Sequence, residues 1–403
     1  MTTTAPNPTM PDVDEFRARA RAWLAENAER LTSGGVANRM QSREHRIAIY
    51  DAGFGGITWP VEYGGLGLTG AHQEAFTEEA ANYPDLVVGD LVTAGICAPT
   101  LLDFGSEEQK RRYIPHMLRG DEVWTQLLSE PGAGSDLAGL QTKAVLDGDE
   151  WVVNGQKVWT SGAMASEFAI LIARSNPDVP KHSGLSMFMV DLKAPGVTIR
   201  PLKQMTGNDE FNEVFLDDVR LPADYLVGAK DDGWRALLRM LMHERMAIGA
   251  GTGGSRMGRD MFTTFRDLAR ARGVDQNEGV RAALLDVYIK EHLLSWLGQR
   301  MRDGAARGKE PGPEGSLAKL LNAIVSRASS NAGMAIGGAS AQARESSGKG
   351  SGVLAAAFLQ APMTAIAGGT SEIQRNTIGE RVLGLPKEPQ LDRDIPFRDV
   401  LKN

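Results

Sequence analysis

The 403-residue sequence predicts an α+β multidomain protein: an N-terminal α-helical domain, a middle β domain of barrel or sandwich type, and a C-terminal helical bundle. Three observations carry this expectation. Apolar residues recur at helical spacing over 11–122. Short strand-like runs separated by Gly and Pro fill 123–227. Helical periodicity returns over 228–403, and the total length suits two or three domains.

The first helix starts at Pro11-Asp12-Val13-Asp14-Glu15-Phe16, with Phe16, Ala20, Trp23 and Leu24 on one side. Glu74 to Ala81 and Thr93 to Phe104 read as two more. After the Gly105-Ser106 break, Glu107-Glu108-Gln109-Lys110-Arg111-Arg112 opens another, its acidic residues ahead of its basic ones as the helix dipole favours. Met1 to Met10 is Thr/Pro-rich, without a basic or apolar leader segment, and is expected to be a mobile tail and not a signal peptide.

Near Val123 the pattern changes to strands. Leu140 to Leu146 and Glu150 to Val153 flank Asp147-Gly148-Asp149. Asn154-Gly155 is expected to form a two-residue hairpin turn. Phe168 to Ala173, Leu185 to Leu192, Val197 to Leu202 and Glu213 to Leu216 follow as short strands, a spacing typical of a small barrel or sandwich. Helices are then expected over Gly233 to Gly249, Met261 to Ala271, Gly279 to Arg302 and Ser316 to Ile336. Ser340 to Gly352 reads as a flexible Gly/Ser stretch. A last helix begins near Ser371 with Thr370 as N-cap.

Net charge is −7, which disfavours nucleic acid and anionic membrane surfaces. The single cysteine, Cys97, excludes an intrachain disulfide and fits a reducing compartment, expected to be the cytoplasm. No apolar run is long enough to span a bilayer. His243-Glu244 lacks a second His at 247, and the other His residues are scattered, so no metal site is expected.

The run Gln126-Leu127-Leu128-Ser129-Glu130-Pro131-Gly132-Ala133-Gly134-Ser135-Asp136 ends a strand in a Gly-rich turn. Gly132 and Gly134 permit positive φ and a close ligand approach, and successive N–H groups there suit phosphate oxygens. Read alone, the pattern favours a plain surface turn. Together with Asn154-Gly155-Gln156-Lys157-Val158-Trp159-Thr160-Ser161-Gly162, it closely resembles the flavin-contacting segment of the acyl-CoA dehydrogenase family. The resemblance extends through Trp59-Pro60, Tyr63-Gly64-Gly65, Val219-Arg220-Leu221-Pro222 and Gly368-Gly369-Thr370-Ser371-Glu372-Ile373-Gln374-Arg375.

The resemblance implies FAD and an acyl-CoA substrate. A carboxylate takes the proton α to the thioester while the β hydrogen leaves as hydride to flavin N5. Many members carry that carboxylate as a Glu just before the Gly-Thr of the C-terminal motif; here the position is Gly368, which has no side chain. Others place it in a Glu-Arg pair on the first C-terminal helix, which here is Glu244-Arg245. Periodicity supports this independently: Leu237, Met240, Leu241, Glu244, Ile248 and Gly251 fall in one stripe, which puts Glu244 on the face expected to be buried. Position alone leaves Glu244 as either a structural ion-pair partner of an Arg or the base; the vacancy at 368 favours the base.

By the same resemblance, Gln126, Leu128 and Ser129 border the flavin ring, Trp159 lies beside it, Thr160 offers backbone contact, and the Ser161 hydroxyl bonds N5. Ser135 matches a contact to substrate or cofactor, Arg245 one to the CoA moiety, and Thr370 and Glu372 contacts to the cofactor at a helix N-terminus. Each has a plain structural alternative: a core Trp, a helix-stabilising Arg, a first-turn Glu. The family's Arg-x-x-Phe-Gly segment reads Arg270-Ala271-Arg272-Gly273-Val274-Asp275-Gln276, and its Gln-x-Phe-Gly-Gly segment reads Met334-Ala335-Ile336-Gly337-Gly338. Gly337 and Gly338 remain as cofactor contacts, while the altered intersubunit segments raise a rival: a non-catalytic or half-active subunit of a hetero-oligomer. An oxidase or monooxygenase on the same fold is a third reading. The family implies an electron-transferring flavoprotein or equivalent as acceptor, in a homotetramer or homodimer.

Overall fold

The computed structural model describes residues 10–32, 39–83, 85–249, 261–308, 312–342 and 351–400. Most of the N-terminal tail and Gly251 therefore lie outside the described residues. Helix α1 (Val13–Thr32) buries Phe16, Ala20, Leu24 and Ala28, one residue per turn. It packs with α3 (Gly70–Ala80) around a Phe16, Phe54 and Phe76 ring cluster. Between them runs α2 (Arg39–Asp51), which sequence reading did not anticipate. The Thr93–Cys97 segment is one wide helical turn leading into α4 (Ala98–Phe104). Helix α5 (Glu107–Arg119) begins with a capping box: the Ser106 Oγ accepts from the Gln109 N–H, and the Gln109 Oε1 accepts from the Ser106 N–H.

Eight strands follow: β1 (Trp124–Leu127), β2 (Lys143–Asp147), β3 (Glu150–Ser161), β4 (Phe168–Arg174), β5 (Leu185–Asp191), β6 (Val197–Leu202), β7 (Phe211–Pro222) and β8 (Leu226–Val227). They form one mixed sheet in the order β6-β7-β3-β2-β4-β5-β8, with β1 parallel to β4. The sheet curls on itself. Trp151 of β3 meets Phe188 of β5 edge-on at 5.1 Å, although two strands lie between them.

Asn154-Gly155 makes no hairpin. Both residues lie inside the long strand β3, where the pairing to β7 slips by a bulge between Val153 and Gly155. Gly is required there for a different reason: a Cβ at 155 would sit 2.3 Å from the Thr142 Oγ1. The hairpin is at Gly148, with φ +66°, between β2 and β3.

The C-terminal region contains α6 (Gly233–Gly249), α7 (Met261–Ala271), α8 (Glu278–Ala306), α9 (Gly315–Gly337), α10 (Ser351–Thr364) and α11 (Ser371–Thr377). Helix α10 begins inside the Gly/Ser stretch expected to be flexible; residues 343–350 of that stretch lie outside the described residues. Its Ala and Leu content outweighs the two small residues at its start.

All three regions meet on one core. Leu101, Ile114 and Met117 come from the N-terminal helices; Ile170, Ile172, Met187 and Met189 from β4 and β5; Ala236, Leu237 and Met240 from α6. The opposite faces of β4 and β5 fill the sheet's own core, so both strands read as unbroken apolar runs. No described helix is long and apolar enough to cross a membrane.

Candidate active site

The end of β1 and the end of β3 form one edge. The Val158 N–H donates to the Ser129 carbonyl at 2.9 Å, and the Thr125 hydroxyl to the Ser161 carbonyl at 2.8 Å. Gln126, Leu128 and Ser129 are half-buried along it, and Ser161 is exposed. A second bulge in β3, between Lys157 and Thr160, turns Trp159 outward. Trp159 has φ +62° and is 61% exposed, with Phe211 edge-on to it at 6.1 Å. A core Trp is thus excluded. A bulky residue in the left-handed region costs about 1–3 kcal/mol, and an indole shown to solvent offers no folding gain against that. Thr160 beside it is buried, its Oγ1 without a hydrogen-bond partner among the described residues.

Beneath this edge lies a buried ion pair. The Lys157 ammonium is fully enclosed, donating at 2.9 Å to the Glu130 carboxylate and at 2.9 Å to the Leu128 carbonyl. Glu130 also accepts from the Gln141 and Thr142 N–H groups, at 2.6 and 2.9 Å. Burial alone would push its carboxyl up; Lys157 and these donors turn the net shift downward, while burial lowers the Lys157 ammonium against the opposing pull of Glu130. The pair ties Leu128-Ser129 to Val158-Trp159.

The Gly-rich turn closes through reciprocal backbone bonds between Glu130 and Ala133. Neither Gly132 nor Gly134 has positive φ, so the turn does not use the freedom these glycines permit. The space over Gly134 is open, since a Cβ there would meet nothing within 4 Å, and Ser135 next to it is exposed.

Helix α6 presents Glu244 one turn after the buried Met240, whose core also receives Leu128 and Leu241. The expected stripe holds as far as Leu241; Glu244 itself is half-buried, and the Ile248 side chain and Gly251 lie outside the described residues. Among the described residues Glu244 has no hydrogen-bond donor and no ion-pair partner; the charges that act on it are those of Arg245 and Lys319. Burial raises its pKa, opposed by the charges of Arg245 and then Lys319. Lys319, on α9, donates to the Thr364 carbonyl at 2.7 Å, just ahead of the Gly368-Gly369 turn. Arg245 is exposed as a residue, yet desolvation of its guanidinium lowers its pKa, with Glu244 opposing and Arg381 adding. His243 is taken up by Asp103 at 2.8 Å, which anchors α6 to α4.

Gly368 and Gly369 are both left-handed, at φ +68° and +93°, and the Gln374 amide clips their carbonyls. Thr370 caps α11, its Oγ1 accepting from the Ile373 N–H at 3.2 Å. Glu372 is exposed beside Arg375. Gly337 is buried, and its carbonyl accepts from Arg272 of the same chain at 3.0 Å. Gly338 has a positive φ of +53° and open space about it. Arg270 and Gln276 line a separate cleft of about 430 Å³ with Arg266 and Arg281.

Three family models match: acyl-CoA dehydrogenase N-terminal domain over 10–121, middle domain over 125–219 and C-terminal domain over 231–383. The chain belongs to the acyl-CoA dehydrogenase family. It is 40% identical over 397 residues to acyl-CoA dehydrogenase IpdE1 of Mycobacterium tuberculosis (strain ATCC 25618 / H37Rv), across 94% of this chain and 99% of that protein. Among solved structures it is similar to the Tcur3481-Tcur3483 steroid ACAD (TM-score 0.77, 29% identity, 95% of this chain and 99% of that one). It is also similar to a chain of the ChsE4-ChsE5 complex from Mycobacterium tuberculosis (TM-score 0.74, 31% identity, 95% and 100%).

Acyl-CoA dehydrogenases are oxidoreductases, and membership brings FAD as cofactor. The residues present fit it. An outward Trp159, an unpartnered Thr160 hydroxyl and an unfilled space over Gly134 lie along one continuous segment pair. Sequence reading assigned no role to Lys157 and Glu130, though both stood inside quoted motifs. It missed Lys319 altogether, although a lone Lys among Leu317, Ala318, Leu320 and Leu321 is itself a signal.

Proposed function

We propose that this chain catalyses α,β-dehydrogenation of an acyl-CoA, with Glu244 as the base. The observation that carries the reading is the Glu244 carboxylate: half-buried, without a hydrogen-bond partner among the described residues, with a raised pKa, while residue 368 is Gly. Desolvation makes that carboxylate a stronger acceptor for a carbon-bound proton. Lys319 and Arg245 keep its anionic form accessible, and Arg245 offers a cation to the CoA portion. Trp159 and the Ser129–Ser161 edge would hold the flavin ring. FAD, when bound, supplies the hydride acceptor. Bleaching of bound flavin by an acyl-CoA under anaerobic conditions, lost in Glu244→Gln, tests the assignment; full bleaching in that variant removes Glu244 from the role.

The altered segments at 270–276 and 334–338 support a second feature, a hetero-oligomer with a related chain that completes the cofactor sites. Likeness to a two-chain steroid ACAD supports both this assembly and a ring-bearing, steroid-derived acyl group over a straight chain. Electrons then pass to an electron-transferring flavoprotein or equivalent. Rapid oxidation of the reduced flavin by oxygen alone would instead favour an oxidase. A dye-reduction assay over straight, branched and steroid-derived acyl-CoA esters, with and without a co-expressed related chain, decides substrate and assembly.

A further inference from the structure

The family match ends at residue 383, yet the described chain continues to 400 and returns to the β domain. Residues 384–391 are exposed; Phe397 is buried. The Phe397 N–H donates to the Val179 carbonyl at 2.9 Å and the Arg398 N–H to the Pro177 carbonyl at 3.0 Å. Two cations lie beneath this returning segment. The Arg174 guanidinium stacks under the Phe397 ring at 3.6 Å and donates at 2.6 Å to the Ala138 carbonyl and at 2.6 Å to the Lys181 carbonyl. The Lys181 ammonium bridges Asp392 at 2.7 Å and Asp136 at 3.0 Å.

Asp136 and Ala138 are the exit of the Gly-rich turn and flank Ser135 closely. Each is held by a cation that the tail holds from the other side. A cavity of about 290 Å³ separates Phe397 and Val400 from Gly132, Asp136 and Gly139, so the tail acts on the turn through those two cations and not by continuous packing. We infer that residues 392–400 form a strap that positions the Gly-rich turn for the cofactor, with Phe397 and Asp392 as positioning residues acting through Arg174 and Lys181. The inference rests on the reading that this turn meets FAD.

The ring covers an otherwise enclosed guanidinium, and a desolvated cation–π contact is strong enough to shift a binding equilibrium about tenfold. The test compares full-length holoenzyme with Phe397→Ala, Phe397→Trp and Asp392→Asn. Two readouts are used: hydrogen exchange of residues 131–139 and the rate of FAD release after dilution. Phe397→Ala is expected to speed exchange in the turn and FAD release about tenfold; Phe397→Trp restores both; Asp392→Asn gives a smaller change in the same direction. A merely structural tail lowers the melting temperature and leaves turn exchange and FAD release alone, which overturns the inference. If Phe397→Ala does not fold, Asp392→Asn decides by the same two readouts. The two ideas fail apart: wild-type protein that holds no FAD, alone or with a related chain, sinks the cofactor reading, while exchange in the turn still scores the strap.

Discussion

A single carboxylate whose pKa is raised by burial makes opposite demands on stability and on chemistry. The folded-state pKa of Glu244 lies above its unfolded value, so its ionisation costs stability. That cost is absent below the ordinary carboxylate range and is incurred as pH rises through the raised value. Glu244→Gln is therefore expected to raise the melting temperature at neutral pH, with the gain vanishing in acid, while lowering turnover about 10²–10⁴-fold. Thermal melts across pH alongside kcat measure both; a melt unchanged by the substitution contradicts the burial argument. The cations that face the Glu244 carboxylate are Arg245 and Lys319, and both lower its pKa. Lys319→Met removes one of them, so the acidic limb of the kcat/KM profile is expected to move to higher pH. A limb that stays in place, or moves down, removes Lys319 from this role.

At the scale of elements, β3 carries two bulges with separate uses. The first lets Gly155 pass close to Thr142; the second turns Trp159 outward at positive φ. Asn tolerates that backbone better than Trp. Trp159→Asn is therefore expected to leave stability unchanged or raise it by ~1 kcal/mol while weakening FAD binding, read by melts and flavin titration. A large loss of stability would show the indole to be a packing residue. Lys157 is the reverse case. Lys157→Met leaves the Glu130 carboxylate buried without its cation, with an expected cost of about 3–5 kcal/mol. The double variant Lys157→Met/Glu130→Leu removes both charges and is expected to recover much of that stability without recovering FAD affinity, since the Leu128 carbonyl loses its tie.

For the whole molecule, the exposed face of α8 sets the question of assembly. Leu285, Ile289, Leu293 and Trp296 recur along that face, and each is about half exposed or more. A contiguous apolar stripe of this kind is expected to be covered by another chain. Trp296→Glu is then expected to shift the light-scattering mass of the purified protein to a smaller species; an unchanged mass would place the interface elsewhere.

The sequence alone determined what depends on neighbours within a few turns. The 3.6-residue repeat and its Gly breaks located α6 at Gly233–Gly249, and a hydroxyl before an apolar helix identified Thr370 as a cap that the structure shows. Gly368, with no side chain where the resemblance expects a Glu, left Glu244-Arg245 as the other place for the base. Asn154-Gly155 misled because the same pair serves a turn or a bulge, and only the partner strand β7 chooses between them. Tertiary structure decided the contacts that join distant stretches: Glu130 to Lys157 across 27 residues, Lys319 to Thr364 across 45, Lys181 to Asp392 across 211. Periodicity and capping are local energies, readable along the chain. The choice of which buried charge meets which is made only when the sheet curls and the helices close over it, because burial is what makes an unpaired charge costly.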